Sequence, residues 1–194
     1  PLDKLMEAEG FHMTRYADDF VIQCKNQEDA EKALQLVRAW VNNNGLELHP
    51  EKTHIEDLNN GGGFDFLGYH FFRHKSGKIR KYIRKKSINK FKDTIRAKTR
   101  RLRSGRMETI INDMNVTLKG WFEYFKHAYK TTFENRDQFV RRRLRRLLRR
   151  RLKKRGGTGQ NHEDHRQWPN AYFEDLGLFS LVKAYNEAIL PLRR

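Results

Sequence analysis

The stretch FHMTRYADDFVIQCK, residues 11–25, decides the fold class of the N-terminal region. It reads as two short β-strands meeting at Ala17-Asp18-Asp19, with Phe20, Val21 and Ile22 forming a buried run on the far side. Working outward, Asn26 is a helix N-cap with Asp29 three residues on. Ala30, Ala33, Leu34, Val37, Trp40 and Val41 then recur at helical spacing until Asn44-Gly45 supplies a left-handed stop. Short strands are expected over 46–49, ended by Pro50, and over 53–58. An aromatic strand follows over 64–72, then a hairpin loop at 74–77 and a strand over 78–83. Residues 1–83 therefore read as α+β.

From Ser87, an expected N-cap, the period is helical. Ile88, Phe91, Ile95 and Leu102 mark one apolar stripe, and Ser104-Gly105 breaks it. Met107, Ile110, Ile111, Met114, Leu118, Trp121, Phe122 and Phe125 mark a second. A third helix is expected from Asn135, with Gln138 at capping-box spacing, burying Phe139 or Val140, Leu144, Leu147, Leu148 and Leu152. Residues 84–155 thus read as a three-helix bundle. A linker is expected over 156–167, and a C-terminal extension over 168–194, with Gly177 as a stop and Ser180 as a cap.

Charge separates these regions. The 194 residues carry 41 Lys and Arg against 24 acids, a net of +17. Residues 1–69 hold 6 basic and 13 acidic side chains, whereas residues 70–155 hold 31 and 6. Such asymmetry implies a polyanion partner for the middle segment and argues against an ordinary small-molecule enzyme. The lone Cys24 excludes an internal disulfide. No apolar run approaches the roughly 20 residues of a membrane span, and no signal-peptide pattern is present. The start at Pro1 rather than Met points to a longer protein.

Tyr16-Ala17-Asp18-Asp19 is the sharpest chemical feature. Two adjacent carboxylates at a turn repel unless a divalent cation neutralises them, and their hard oxygens suit Mg²⁺. Alone, an Asp-Asp pair is more often a solvated turn. Consecutive strand residues point to opposite faces, so only one of the pair should sit squarely in a metal site.

RYADDFVIQCK resembles the catalytic hairpin of reverse transcriptases, in the version found in group II intron reverse transcriptase/maturases. Three further stretches resemble that family in order: GLELHPEKT at 45–53, the next palm motif; FDFLGYHF at 64–71, the primer grip; and LKGWFEYF at 118–125, the hallmark of the maturase or thumb region. The resemblance implies an α+β fold, with part of a polymerase palm followed by an all-α three-helix thumb. It implies RNA-templated DNA synthesis, with two Mg²⁺ ions clamping the attacking 3′-hydroxyl and the leaving pyrophosphate. Asp18 would ligate metal and Asp19 would support the site. Tyr16 and Ala17 would lie beside the primer end or incoming dNTP. Lys52 is either a surface lysine or the palm lysine that neutralises pyrophosphate. Phe66, Leu67 and Gly68 would grip the primer, or form a core strand.

The same resemblance implies a third carboxylate and a fingers region, both preceding residue 1, so this chain alone should not polymerise. Its partners would be the RNA template/DNA primer duplex, dNTP and group II intron RNA, in a bacterial cytoplasm, with no membrane. The duplex would lie in a cleft between bundle and palm. A non-catalytic RNA-binding maturase is the rival reading.

Two basic surfaces are expected to contact nucleic acid. One is Lys81, Arg84, Lys85, Lys86, Lys90, Arg96, Arg100 and Arg101. The other is Arg141, Arg142, Arg143, Arg145, Arg146, Arg149, Arg150 and Arg151, eight arginines within 11 residues that would repel one another without counterions. Trp121, Phe122 and Phe125 read as core, and Tyr124 as able to face RNA. His162-Glu163-Asp164-His165 has metal-ligand residue types, but it lies in the expected linker with no further ligand pair nearby.

Overall fold

A computed structural model describes residues 1–100, 105–153 and 159–189. These divide into two compact units, Pro1–Arg80 and Lys81–Arg194. Among the described residues the fold is α+β, with two small antiparallel sheets and eight helices.

In the first unit the expected hairpin forms. Strands β1 (His12–Tyr16) and β2 (Asp19–Gln23) pair antiparallel, with Thr14 opposite Val21 and Tyr16 opposite Asp19. Phe20, Val21 and Ile22 are half-buried rather than fully enclosed. Helix α2 (Gln27–Asn43) starts where Asn26 accepts a bond from Asp29 N at 2.7 Å, and it buries Ala33, Val37 and Val41. A helix not expected from the sequence, α1 (Leu2–Ala8), adds Leu2 and Met6 to this core. The partly buried residues packed around it include Phe11, Met13, Phe20 and Ile22 from the hairpin segment, and Trp40. Each fully buried large apolar side chain contributes about 1.5–3 kcal/mol, so this cluster fixes one face of the hairpin.

The strands expected at 46–49 and 53–58 do not form; residues 46–49 and 53–57 are irregular and turns surround them. Pro50 lacks a donor, and the amides of Lys52 and Thr53 turn back onto His49 O. Further on, Asp57 and Glu56 carboxylates take the amides of Asn59 and Gly63, competing with a ladder. Leu48 packs on the core instead of pairing.

Strands β3 (Gly63–Phe66), β4 (Tyr69–Arg73) and β5 (Ile79–Ile83) make a three-stranded sheet in that order. Leu67 and Gly68 form the β3–β4 turn at φ +48° and +80°. Two left-handed residues match the twist of a tight hairpin, and only Gly68 adopts that region without steric cost.

In the second unit, α3 (Lys85–Lys98) begins two residues before the expected Ser87 cap and buries Phe91 and Ile95. Leu102, Ser104 and Arg101 lie outside the described residues. Helix α4 (Met107–Phe125) buries every expected stripe residue except Trp121, which is half-buried against Phe91 at 4.5 Å. Helix α5 (Thr131–Arg151) begins four residues ahead of Asn135. A hydrogen-bonded turn over 129–133 leads into it, and Phe133, fully buried, extends the stripe backward. Both Phe139 and Val140 are buried.

The bundle does not stop at three helices. Part of the expected linker is α6 (His162–Gln167), whose cap Asn161 accepts from Asp164 N at 2.9 Å. Helices α7 (Asn170–Asp175) and α8 (Leu181–Ala188) follow, the latter capped by Ser180 as expected. Phe173, Leu181 and Tyr185 are fully enclosed. Asp137 on α5 accepts from Ser180 Oγ at 2.7 Å and Leu181 N at 3.0 Å, locking the start of α8. Among the described residues no helix is long and apolar enough to cross a membrane.

Candidate nucleic-acid interface and carboxylate hairpin

Pairing of Tyr16 with Asp19 leaves Ala17 and Asp18 as a two-residue turn. Ala17 sits at φ +51°, where a Cβ costs about 1–2 kcal/mol. Arg15 anchors the bend, donating to Ala17 O at 3.2 Å and pairing with Asp3 of α1 at 2.6 Å. That guanidinium holds the Asp3 carboxyl below its usual range. Asp18 and Asp19 are both exposed, and their carboxylates make no ion pair or side-chain hydrogen bond with other described residues. Tyr16 is 68% exposed beside them. Lys52 is exposed in the turn after Pro50. Phe66 ends β3 opposite Tyr69, half-buried, with the Leu67-Gly68 turn next to it.

The pair offers hard oxygen donors of the kind Mg²⁺ prefers, which fits one ion in donor chemistry. Among the described residues, however, no three His, Cys, Asp or Glu side chains converge on a metal position.

The second unit sorts its basic residues by burial, which the sequence could not. Lys85, Lys86, Lys90, Arg96, Arg100 and Arg146 are exposed, and Arg84 is exposed at the start of α3. Lys81 is half-buried in β5, its carbonyl accepting from Tyr129 N. Arg142 lies over the Phe139 ring at 5.4 Å.

The expectation that all eight arginines of α5 need an external counterion is corrected. Arg149, 7% exposed, pairs with the fully buried Asp164 at 2.6 Å. Arg145, 2% exposed, donates to Trp168 O and Asn170 Oδ1 and lies over Phe173. Arg141 approaches Asp137 at 3.9 Å. Arg143 donates from Nε to Thr99 Oγ1 at 2.9 Å and from Nη2 to Thr99 O, tying α5 to the end of α3. Arg143, Arg145 and Arg149 hold helices together, because residues distant in sequence bring oxygen acceptors to them, whereas Arg141 pairs within α5. The rest of the run lies toward solvent: Arg146 and Arg151 are exposed, and Arg142 and Arg150 half-buried.

Arg96, Arg100, Arg143, Arg146 and Arg150 line a shallow open hollow of ≈ 590 Å³, with Asp93 as its acid. Asp93 is already engaged by Arg96 at 2.6 Å. Burial first, then repulsion from Arg146, Arg150, Arg96 and Arg142, pulls the Arg143 guanidinium below its ordinary value. Thr99, which orients Arg143, was not singled out from the sequence; nothing in a lone Thr near a helix end distinguishes it.

Residues 1–71 match the family model for reverse transcriptase (RNA-dependent DNA polymerase), and residues 88–168 match that for the group II intron, maturase-specific domain. The class is therefore a reverse-transcriptase unit followed by a maturase-type helical unit. The chain belongs to the group II intron reverse transcriptase/maturase family. No curated protein matches it.

Proposed function

We propose that the chain contributes the carboxylate hairpin and the RNA-binding helical unit of an RNA-directed DNA polymerase that also serves as an intron maturase. The observation carrying this reading is the exposed Asp18-Asp19 pair at a strained bend, inside the segment that matches reverse transcriptases. Asp18 would hold Mg²⁺, with Asp19 in support, and Mg²⁺ would supply charge neutralisation at the phosphoryl group being transferred. Tyr16 and Ala17 offer an exposed surface for the primer end or dNTP. Lys52 presents a cation for departing pyrophosphate, and the Phe66-Leu67-Gly68 turn allows close backbone approach. The exposed cations Arg84, Lys85, Lys86, Lys90, Arg96, Arg100 and Arg146 would take phosphates of the template/primer duplex and of intron RNA. Contacts of this type follow backbone and shape rather than sequence. A bacterial cytoplasm goes with this reading.

One observation favours the rival, a non-catalytic RNA-binding maturase: the described residues assemble no three-ligand metal position. Both readings are tested by giving the 194-residue chain a labelled RNA/DNA primer-template, Mg²⁺ and dNTPs. RNA binding without primer extension is expected. Extension by this chain would overturn the claim that it is inactive alone. Absence of RNA binding near 0.1 M salt would overturn the RNA-binding reading. Mn²⁺ binding, followed by paramagnetic resonance, should weaken in Asp18→Asn; an unchanged signal removes Asp18 as a ligand.

A further inference from the structure

Arg136 lies on α5, one turn past the buried Phe133, and was not among the basic residues that the sequence singled out. Its Nε and Nη1 are buried and have no hydrogen-bond partner among the described residues. Burial pulls the guanidinium below its ordinary value. Lys92 of α3 is also pulled down, by burial and then by repulsion from Arg136, Arg96 and Arg142. Arg96 and Arg142 flank the Phe139 ring at 5.8 and 5.4 Å, and the hollow lined by Arg143 and Arg146 continues from there. The α3–α5 seam is thus one band of cation, running from the Lys92–Arg136 end to Arg146. Ten helical residues from Arg136 to Arg146 span about 15 Å, longer than a single phosphate, so a polymeric anion fits it better than a lone ion.

Resting on the RNA-binding reading above, we propose that the α3–α5 seam is a track for consecutive RNA backbone phosphates, and that Arg136 is its anchor. Among the described residues the buried Nε and Nη1 of Arg136 make no hydrogen bond, so at those atoms a hydrocarbon of similar length would replace the guanidinium without loss. Turning outward onto a phosphate therefore sacrifices no contact at Nε or Nη1 and gains a bidentate one. At the far end Arg143 is held in place by Thr99, while Arg96 and Arg146 remain exposed to grip. A guanidinium fork matches phosphate and carboxylate alike, so the choice of RNA rests on the RNA-binding reading above and on the length of the band.

The test uses the full chain, a fluorescein-labelled RNA hairpin and anisotropy titrations between about 50 and 200 mM salt. Arg136→Met is expected to melt, without RNA, at the wild-type temperature or higher. It should bind RNA several-fold more weakly, with a slope of log K against log salt shallower by roughly 0.7–0.9. Arg136→Lys should keep the salt slope and recover only part of the affinity. Wild-type affinity and slope in Arg136→Met, with loss in a Lys85→Gln/Lys90→Gln variant, would overturn the track while leaving the RNA-binding reading intact. Failure of the wild type to bind RNA overturns both. Competition by polyglutamate as effective as by RNA would overturn the choice of phosphate. If Arg136→Met melts early, Lys92→Gln and Arg146→Gln carry the same comparison from the two ends of the seam, and an unchanged slope in both overturns it.

Discussion

Asp164→Asn tests whether the arginine-rich helix is held by its own carboxylate. Asp164 is fully buried and Arg149 is 7% exposed, with 2.6 Å between Oδ1 and Nη1. The change keeps shape and removes the charge that Arg149, with very little access to water, meets at 2.6 Å. Removing one partner of a buried pair costs about 3–5 kcal/mol, most of it the uncompensated charge left behind. For a unit of this size that corresponds to a fall of about 10–20 °C in melting temperature. Replacing both partners, as in Arg149→Met/Asp164→Leu, should recover most of the loss, because the desolvation of two ions disappears together. The assay is urea unfolding followed by tryptophan fluorescence, with Trp168 adjoining α6 and Trp40 reporting the first unit. Asp164→Asn within about 0.5 kcal/mol of wild type, the scatter of ordinary surface substitutions, would mean that this pair does not hold the helix. So would a double variant no better than the single.

Two further outcomes are expected. Thr99→Val keeps volume but deprives Arg143 Nε of its acceptor and Ile95 O of a donor at 2.7 Å, so it should cost about 1–3 kcal/mol by chemical denaturation. Asp137 is raised by burial, against the lowering effect of its bonds from Ser180, Leu181 and Val182. A carboxyl raised in the fold lends stability below its unfolded value, and that contribution fades as pH climbs through its folded value. Asp137→Asn lacks this dependence. The stability difference between the two proteins should move in favour of Asp137→Asn from about pH 3 to pH 7, and thermal melts showing the opposite drift would sink the assignment.

The hairpin, α2, the stripes of α4 and the Ser180 cap were legible because each is a local pattern: alternation, a 3.6 period, a capping side chain at fixed spacing. α1 escaped because a seven-residue helix holding two buried residues carries too little periodicity. The strands expected at 46–49 and 53–58 failed for the converse reason. Alternating residues were present, but Pro50 has no amide to give, His49 O takes the amides of Lys52 and Thr53, and the Asp57 and Glu56 carboxylates take those of Asn59 and Gly63.

That the middle of this chain is a polycation on helices can be read from the string of residues, because charge and period are properties of that string. Which of its arginines are tied into the fold is set by packing. Arg143, Arg145 and Arg149 look like their neighbours in the run, yet Thr99, Trp168 and Asp164 reach them across 44, 23 and 15 residues. Arg136, outside the run, meets no such partner at Nε or Nη1 among the described residues. Burial and pairing are set by which distant segment packs where, and that information exists only once the helices are assembled.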